Sequence, residues 1–156
     1  MKFKLFIVFC LIFTGQFVSA QTTRINSFDH LMEALESGER VRIIIDYSHC
    51  GWQDTTKQSP VPEAISGMDI DTYEYFAPGA IHNQRAFVVF SSTVLIENPI
   101  GKGFVYNYGK VRIYEDNSVQ VTAKYIHPKR FKVLMNEVFI GKINDGQNRE
   151  AIHLYK

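Results

Sequence analysis

"YGKVRIYEDNSVQVTAKY", residues 108–125, holds two alternating runs around a polar centre. Val119, Val121, Ala123 and Tyr125 fall on one parity, and Gln120, Thr122 and Lys124 on the other. A period of two marks an extended strand with a buried and a wet face. Glu115-Asp116-Asn117-Ser118 supplies turn-forming residues between the runs. The stretch therefore predicts a hairpin that joins a strand over Phe104–Tyr114 to one over Val119–Ile126.

Working outward from this hairpin, the same period and the punctuation by Pro, Gly and Asn predict further strands. These are Arg40–Ser48, Met68–Phe76, the strongly apolar Ala86–Ile96, Phe131–Ile140 and a last one around Ala151–Tyr155. The Ala86–Ile96 run is expected to be central. Cys50 to Ser66, broken by Gly51, Pro60 and Pro62, is expected to be a long surface loop. One helix is predicted, over Ser27–Ser37, because Phe28, Leu31, Met32 and Leu35 recur at helical spacing. Asn26 or Ser27 caps its start and Gly38 stops it. The fold class is then α+β, mainly β. A short N-terminal amphipathic helix precedes about seven antiparallel strands curled into a sandwich or small barrel-like sheet. No βαβ alternation is present, which argues against a nucleotide-binding α/β fold.

The first twenty residues, MKFKLFIVFCLIFTGQFVSA, read as a signal peptide. Lys2 and Lys4 give the positive start, Leu5–Phe13 the apolar core and Val18-Ser19-Ala20 the cleavage site. That core is too short for a bilayer, which needs roughly 20 apolar residues, and no later stretch reaches this length. The expectation is a secreted, extracellular protein, or a periplasmic one if the source is bacterial, with residues 21–156 as a single domain. Loss of Lys2 and Lys4 changes 17 bases against 16 acids into 15 against 16. A balance near −1 is no footprint for nucleic acid. The charge is unevenly spread: Gln53–Tyr75 has five acids and one base, whereas Pro99–Val133 has seven bases and two acids.

Cys10 leaves with the signal peptide, so Cys50 has no partner for a disulfide within the chain. An odd cysteine in an exported protein is a reactive thiol, a buried small hydrophobe, or a hook for a homodimer. His49 stands next to Cys50, and the pair is the candidate thiol site, although neighbours on an extended chain point to opposite faces. A thiol-dependent hydrolase or transferase using Cys50 is the enzymatic alternative. No G-x-S-x-G, S-x-x-K or Walker pattern is found, so neither a second catalytic centre nor a cofactor is predicted. The histidines at 30, 49, 82, 127 and 153 are scattered, and Asp69-x-Asp71 lacks the rest of a calcium loop, so no metal site is expected.

The order of segments carries a resemblance. "FDHLMEALESGERV", "IIIDYSHC", "ISGMDIDTYEYF", "AFVVFSSTVL" and "YGKVRIYEDNSVQVTAKY" together resemble the VirK family of small exported proteins, from about Ser27 to Tyr155. The step from Gly38-x-x-Val41 into Asp46-x-x-x-Cys50, and the entry Gly67-Met68, are the most telling pieces. The resemblance implies an exported single domain and brings no catalytic residue with it. Within such a domain the candidate binding face is Tyr106, Tyr108, Lys110, Arg112 and Tyr114, one parity of one strand that alternates tyrosine with cations. Such a surface can stack on sugars or hold an anionic small molecule, and it can equally serve cross-strand pairing alone. The expectation is a non-enzymatic binding or interaction protein with an unknown small molecule or protein as partner. A structural component of an extracellular matrix or secretion is a second alternative.

Overall fold

The computed structural model describes residues 22–156. The signal peptide read over residues 1–20 lies outside the described residues. The described chain is mainly β, with antiparallel strand pairing, one α-helix and two separate open sheets. The strands are β1 (Arg24–Ile25), β2 (Arg42–Asp46), β3 (Gly51–Trp52), β4 (Ile65–Asp69), β5 (Glu74–Phe76), β6 (Phe87–Glu97), β7 (Phe104–Tyr114), β8 (Ser118–Ile126), β9 (Val133–Lys142) and β10 (Ile152–Tyr155). The helix α1 spans Phe28–Glu36.

The smaller sheet has the order β1-β10-β2-β4 and the larger β3-β9-β8-β7-β6-β5. Neither closes on itself, so the barrel-like alternative is set aside. The hairpin read from residues 108–125 is the centre of the larger sheet, with Val111 opposite Val121 and Arg112 opposite Gln120. Period-two alternation decides what each face does. On the larger sheet Val88, Phe90, Val111, Ile113, Val119, Val121 and Phe139 face inward and are buried. On the smaller sheet Ile25, Ile43, Ile45, Ile152 and Leu154 are sealed against them in one core. The sheets approach closely at Gly109, where an added Cβ would stand 2.9 Å from the Met68 methyl.

The helix closes one side of this core with Phe28, Leu31, Met32, Ala34 and Leu35. Ser27 accepts the His30 N–H at its start, and Gly38 ends it with φ +76°. The Phe28 N–H donates to Asn117 Oδ1 at 2.7 Å, which ties the helix to the turn of the β7–β8 hairpin.

Three expectations change. The apolar Ala86–Ile96 run is not central. β6 pairs with β7 along its whole length, but β5 covers only Phe87–Val89 on its other edge. Its far half is wet, with Val94 55% and Leu95 53% exposed. A continuous apolar run reports β propensity and not a place in the sheet. The single strand read over Met68–Phe76 is two strands in different sheets, since the chain crosses from one to the other after Asp69. The surface loop read from Cys50 begins instead in the core. Cys50 is buried, β3 pairs with Phe139 and Ile140, and Trp52 lies between the Phe139 ring at 4.6 Å and Lys57 Nζ at 3.6 Å.

Asn144 is a buried polar residue, and it organises the turn into β10. Its Oδ1 accepts from Arg24 Nη1 and the Gly146 N–H, and its Nδ2 donates to the carbonyls of Asn148 and Glu150. Asn144→Ala leaves these groups unpaired in a partly buried place, and the expected loss is about 2–4 kcal/mol. Urea denaturation of the two proteins checks this.

Candidate functional site

β2 delivers Cys50 through a short 3-10 turn over Tyr47–His49. Asp46 caps that turn by accepting the Ser48 N–H at 3.0 Å, and the Cys50 N–H returns to the Tyr47 carbonyl. The turn therefore rotates the thiol inward. Cys50 is a free, buried cysteine, 8% exposed, and its Sγ points at the Asp46 carbonyl oxygen 3.6 Å away. A Cβ added to Gly141 would lie 3.6 Å from that sulfur, so the wall opposite is close as well.

His49 is adjacent in sequence but engaged elsewhere. Its Nδ1 lies 3.0 Å from Asp46 Oδ2 and 3.2 Å from Ser48 Oγ. Ser48 Oγ donates to Asp46 Oδ1 at 2.6 Å. These three residue types invite comparison with a Ser-His-Asp triad, and the geometry refuses it. A triad needs the hydroxyl on one ring nitrogen and the carboxylate on the other. Here both approach Nδ1, and the serine proton is already committed to the carboxylate. The Asp46 carboxyl is held below its usual range, chiefly by the Ser48 hydrogen bond. Burial pushes the thiol the other way, up to about 11, with Asp46 and Glu150 adding repulsion.

An unactivated thiol makes a sharp expectation. At pH 8, two pKa units above the ordinary 9.0 mean that Cys50 reacts with an aromatic disulfide reagent roughly 100-fold more slowly than a free thiol. Full reaction returns once the protein is unfolded in denaturant. Absorbance of the released thiolate checks both.

The candidate binding face lies on the other side of the larger sheet. Tyr106, Tyr108, Lys110, Arg112 and Tyr114 do share its outer side, opposite to buried Val105, Val111 and Ile113. All five are half-buried and none is covered by the smaller sheet. Cross-strand register adds Lys124, which pairs with Tyr108 and stands on the same side. Lys124 was legible in the hairpin as the polar parity of β8, yet only the register brings it beside the tyrosines. Arg112 is laid over the Phe87 ring at 4.4 Å and donates to the Tyr114 hydroxyl at 3.4 Å, while its Nε finds no acceptor. Among the described residues, Lys110, Arg112 and Lys124 are in none of the ion pairs, which are Arg42–Asp69, His49–Asp46, Lys57–Glu137, Arg85–Asp116 and Lys156–Glu39. The thiol site and this face are therefore separate.

Asp69 is spent on Arg42 at 3.5 Å, and no group of three or more His, Cys, Asp or Glu suited to a metal ion occurs among the described residues. No described helix is long and apolar enough to cross a membrane.

His153 sits beside Ile44 on the outer side of the smaller sheet. Burial first, then Arg24 and His49, lower its pKa below 6.5 against the opposing pull of Asp46. The unfolded chain thus takes up this proton first as pH falls, so stability should decline as pH drops through 6.5. His153→Gln should flatten that decline, as read from melting temperature against pH.

Comparison with known proteins fits this architecture. The family model described as VirK protein matches residues 24–131, from β1 to the turn before β9. The chain belongs to the VirK family. A crystal structure of a VirK family protein from Legionella pneumophila superposes with a TM-score of 0.66 at 14% identity, covering 85% of this chain and 98% of that one. At that identity the likeness carries the fold alone. No curated protein matches the chain. The VirK family match stops short of β9 and β10, whereas the resemblance read from the sequence runs on to about Tyr155.

Proposed function

We propose that this VirK protein is an exported, non-enzymatic binding module, and that the outer side of its larger sheet holds an acidic sugar. The observation that carries the proposal is a half-exposed sheet face with three cations that form no ion pair among the described residues. Lys110, Arg112 and Lys124 supply the charge, and Tyr106, Tyr108 and Tyr114 supply flat apolar rims for sugar rings. Export rests on the signal-peptide pattern of residues 1–20. The fold that presents the face is read as an open sandwich with an amphipathic helix along one side.

The thiol supports the same reading by what it lacks. A nucleophilic cysteine needs a lowered pKa and a base within reach. Cys50 has a raised pKa, and its neighbouring imidazole is turned to Asp46. Burial also gives the sulfur no path to a second chain, so Cys50 is assigned to the core in preference to a dimer hook.

Calorimetric titration of the purified protein with paired acidic and neutral oligosaccharides tests the proposal. An acidic member should bind and its neutral counterpart should not. Arg112→Gln should weaken binding at least roughly tenfold, the size expected for one charge-assisted hydrogen bond. Binding that ignores Arg112→Gln and Lys110→Gln together, or absent for every acidic sugar, removes the proposal.

A further inference from the structure

The meander β6–β9 puts two hairpin tips at one end of the larger sheet. The first, residues 98–103, joins β6 to β7, and the second, residues 127–132, joins β8 to β9. With strands about 4.8 Å apart, the tips stand roughly 10 Å from each other. Both are fixed by their own hydrogen bonds. The Asn98 N–H reaches the Gly103 carbonyl at 2.8 Å, and the His127 N–H reaches the Lys132 carbonyl at 2.8 Å. His127 Nδ1 also accepts from the N–H groups of Lys129 and Arg130.

These tips present apolar side chains to water. Ile100 is 61% exposed, Phe104 62% and Phe131 70%. Phe131 is held at φ +52°, a region that a bulky residue enters at a cost of about 1 kcal/mol or more. The turn itself holds this conformation, with the Phe131 N–H donating to the His127 carbonyl at 2.9 Å, and it leaves the ring pointing outward. Just behind them Leu95, Val133 and Leu134 are also exposed. Cations interleave with this patch. Lys102, Lys129, Arg130 and Lys132 are all exposed, and none is in an ion pair among the described residues. Across residues 95–106 and 125–135 the sequence carries a single carboxylate, Glu97.

We infer that this end of the sheet docks on an anionic lipid surface, with Ile100 and Phe131 entering the headgroup layer and the four cations meeting lipid phosphates. Charge decides the occupant. Four unpaired cations ringing exposed apolar groups match a negative bilayer surface, which attracts each nearby Lys or Arg. Shape agrees with charge. Two protruding tips need sockets on a protein partner, whereas a lipid interface yields around them. A second copy of the chain would bring the same positive charge against itself. The inference is independent of the acidic-sugar reading, because the tips lie beyond Tyr106 and away from Arg112.

Vesicle flotation with the purified protein tests it, using phosphatidylcholine alone and phosphatidylcholine mixed with phosphatidylglycerol. Binding should require phosphatidylglycerol and weaken as salt rises. Neutralising Lys129→Gln or Arg130→Gln should lower the partition coefficient roughly fivefold each. Phe131→Ser should lower it further while the melting temperature holds, because an exposed ring adds little to the fold. Phe131→Trp should add a blue-shifted emission on vesicles that the parent protein, whose Trp52 is stacked on Phe139, does not give. Lys110→Gln with Arg112→Gln should leave vesicle binding unchanged. No binding to phosphatidylglycerol vesicles overturns the inference, as does equal binding to both compositions. Binding that survives Phe131→Ser and Lys129→Gln overturns it too. A concentration-dependent dimer abolished by Phe131→Ser, with no vesicle binding, would assign the patch to self-association instead.

Discussion

Burial of one face of the β6–β9 meander beneath the smaller sheet and α1 is the constraint from which the remaining features follow. Cys50, the cysteine among the described residues, is a free thiol, so no disulfide joins the described strands. Stability therefore rests on apolar area removed from water and on correct register. A slip of one residue in β7 would send Val111 and Ile113 to solvent and bring Lys110 and Arg112 into the core. That penalty pins the hairpin, and the pinned hairpin fixes which side chains the outer face displays.

The two sheets are unequal, and their inequality matters more than their similarity. β2, β4 and β10 have four or five residues each, whereas β6 to β9 have nine to eleven. The smaller sheet can cover only part of one side of the larger. What the smaller sheet leaves uncovered is the outer side of β7 and the overhanging end, so half-wet tyrosines and cations, and exposed Ile100, Phe104 and Phe131, are a consequence of strand length. Exposed apolar groups at such an end are informative because a monomeric chain seldom leaves them together without use.

Cys50 shows how a residue that looks chemical is disarmed by its surroundings. The same 3-10 turn that brings His49 and Ser48 onto Asp46 turns the sulfur toward the core and the backbone. Desolvation then favours the neutral thiol, and the two nearby carboxylates reinforce it. Proximity in sequence placed an imidazole beside a thiol, and local geometry gave the imidazole to a carboxylate.

From residue order alone came the mainly β class, the helix at Phe28–Glu36 to within a residue, the β7–β8 hairpin, the one-sided tyrosine and cation parity, and the VirK resemblance. All of these follow from spacing along the chain, because local periodicity and turn chemistry are written in neighbours. Beyond its reach lay the division of Met68–Phe76 between two sheets, the half-covered outer edge of β6, the inward aim of Cys50 and the addition of Lys124 to the tyrosine face. Each of those depends on which distant strand lies alongside, and an apolar or polar side chain looks the same in sequence whichever neighbour it meets. Register and relative sheet size, set by the packing of the core as a whole, decided them.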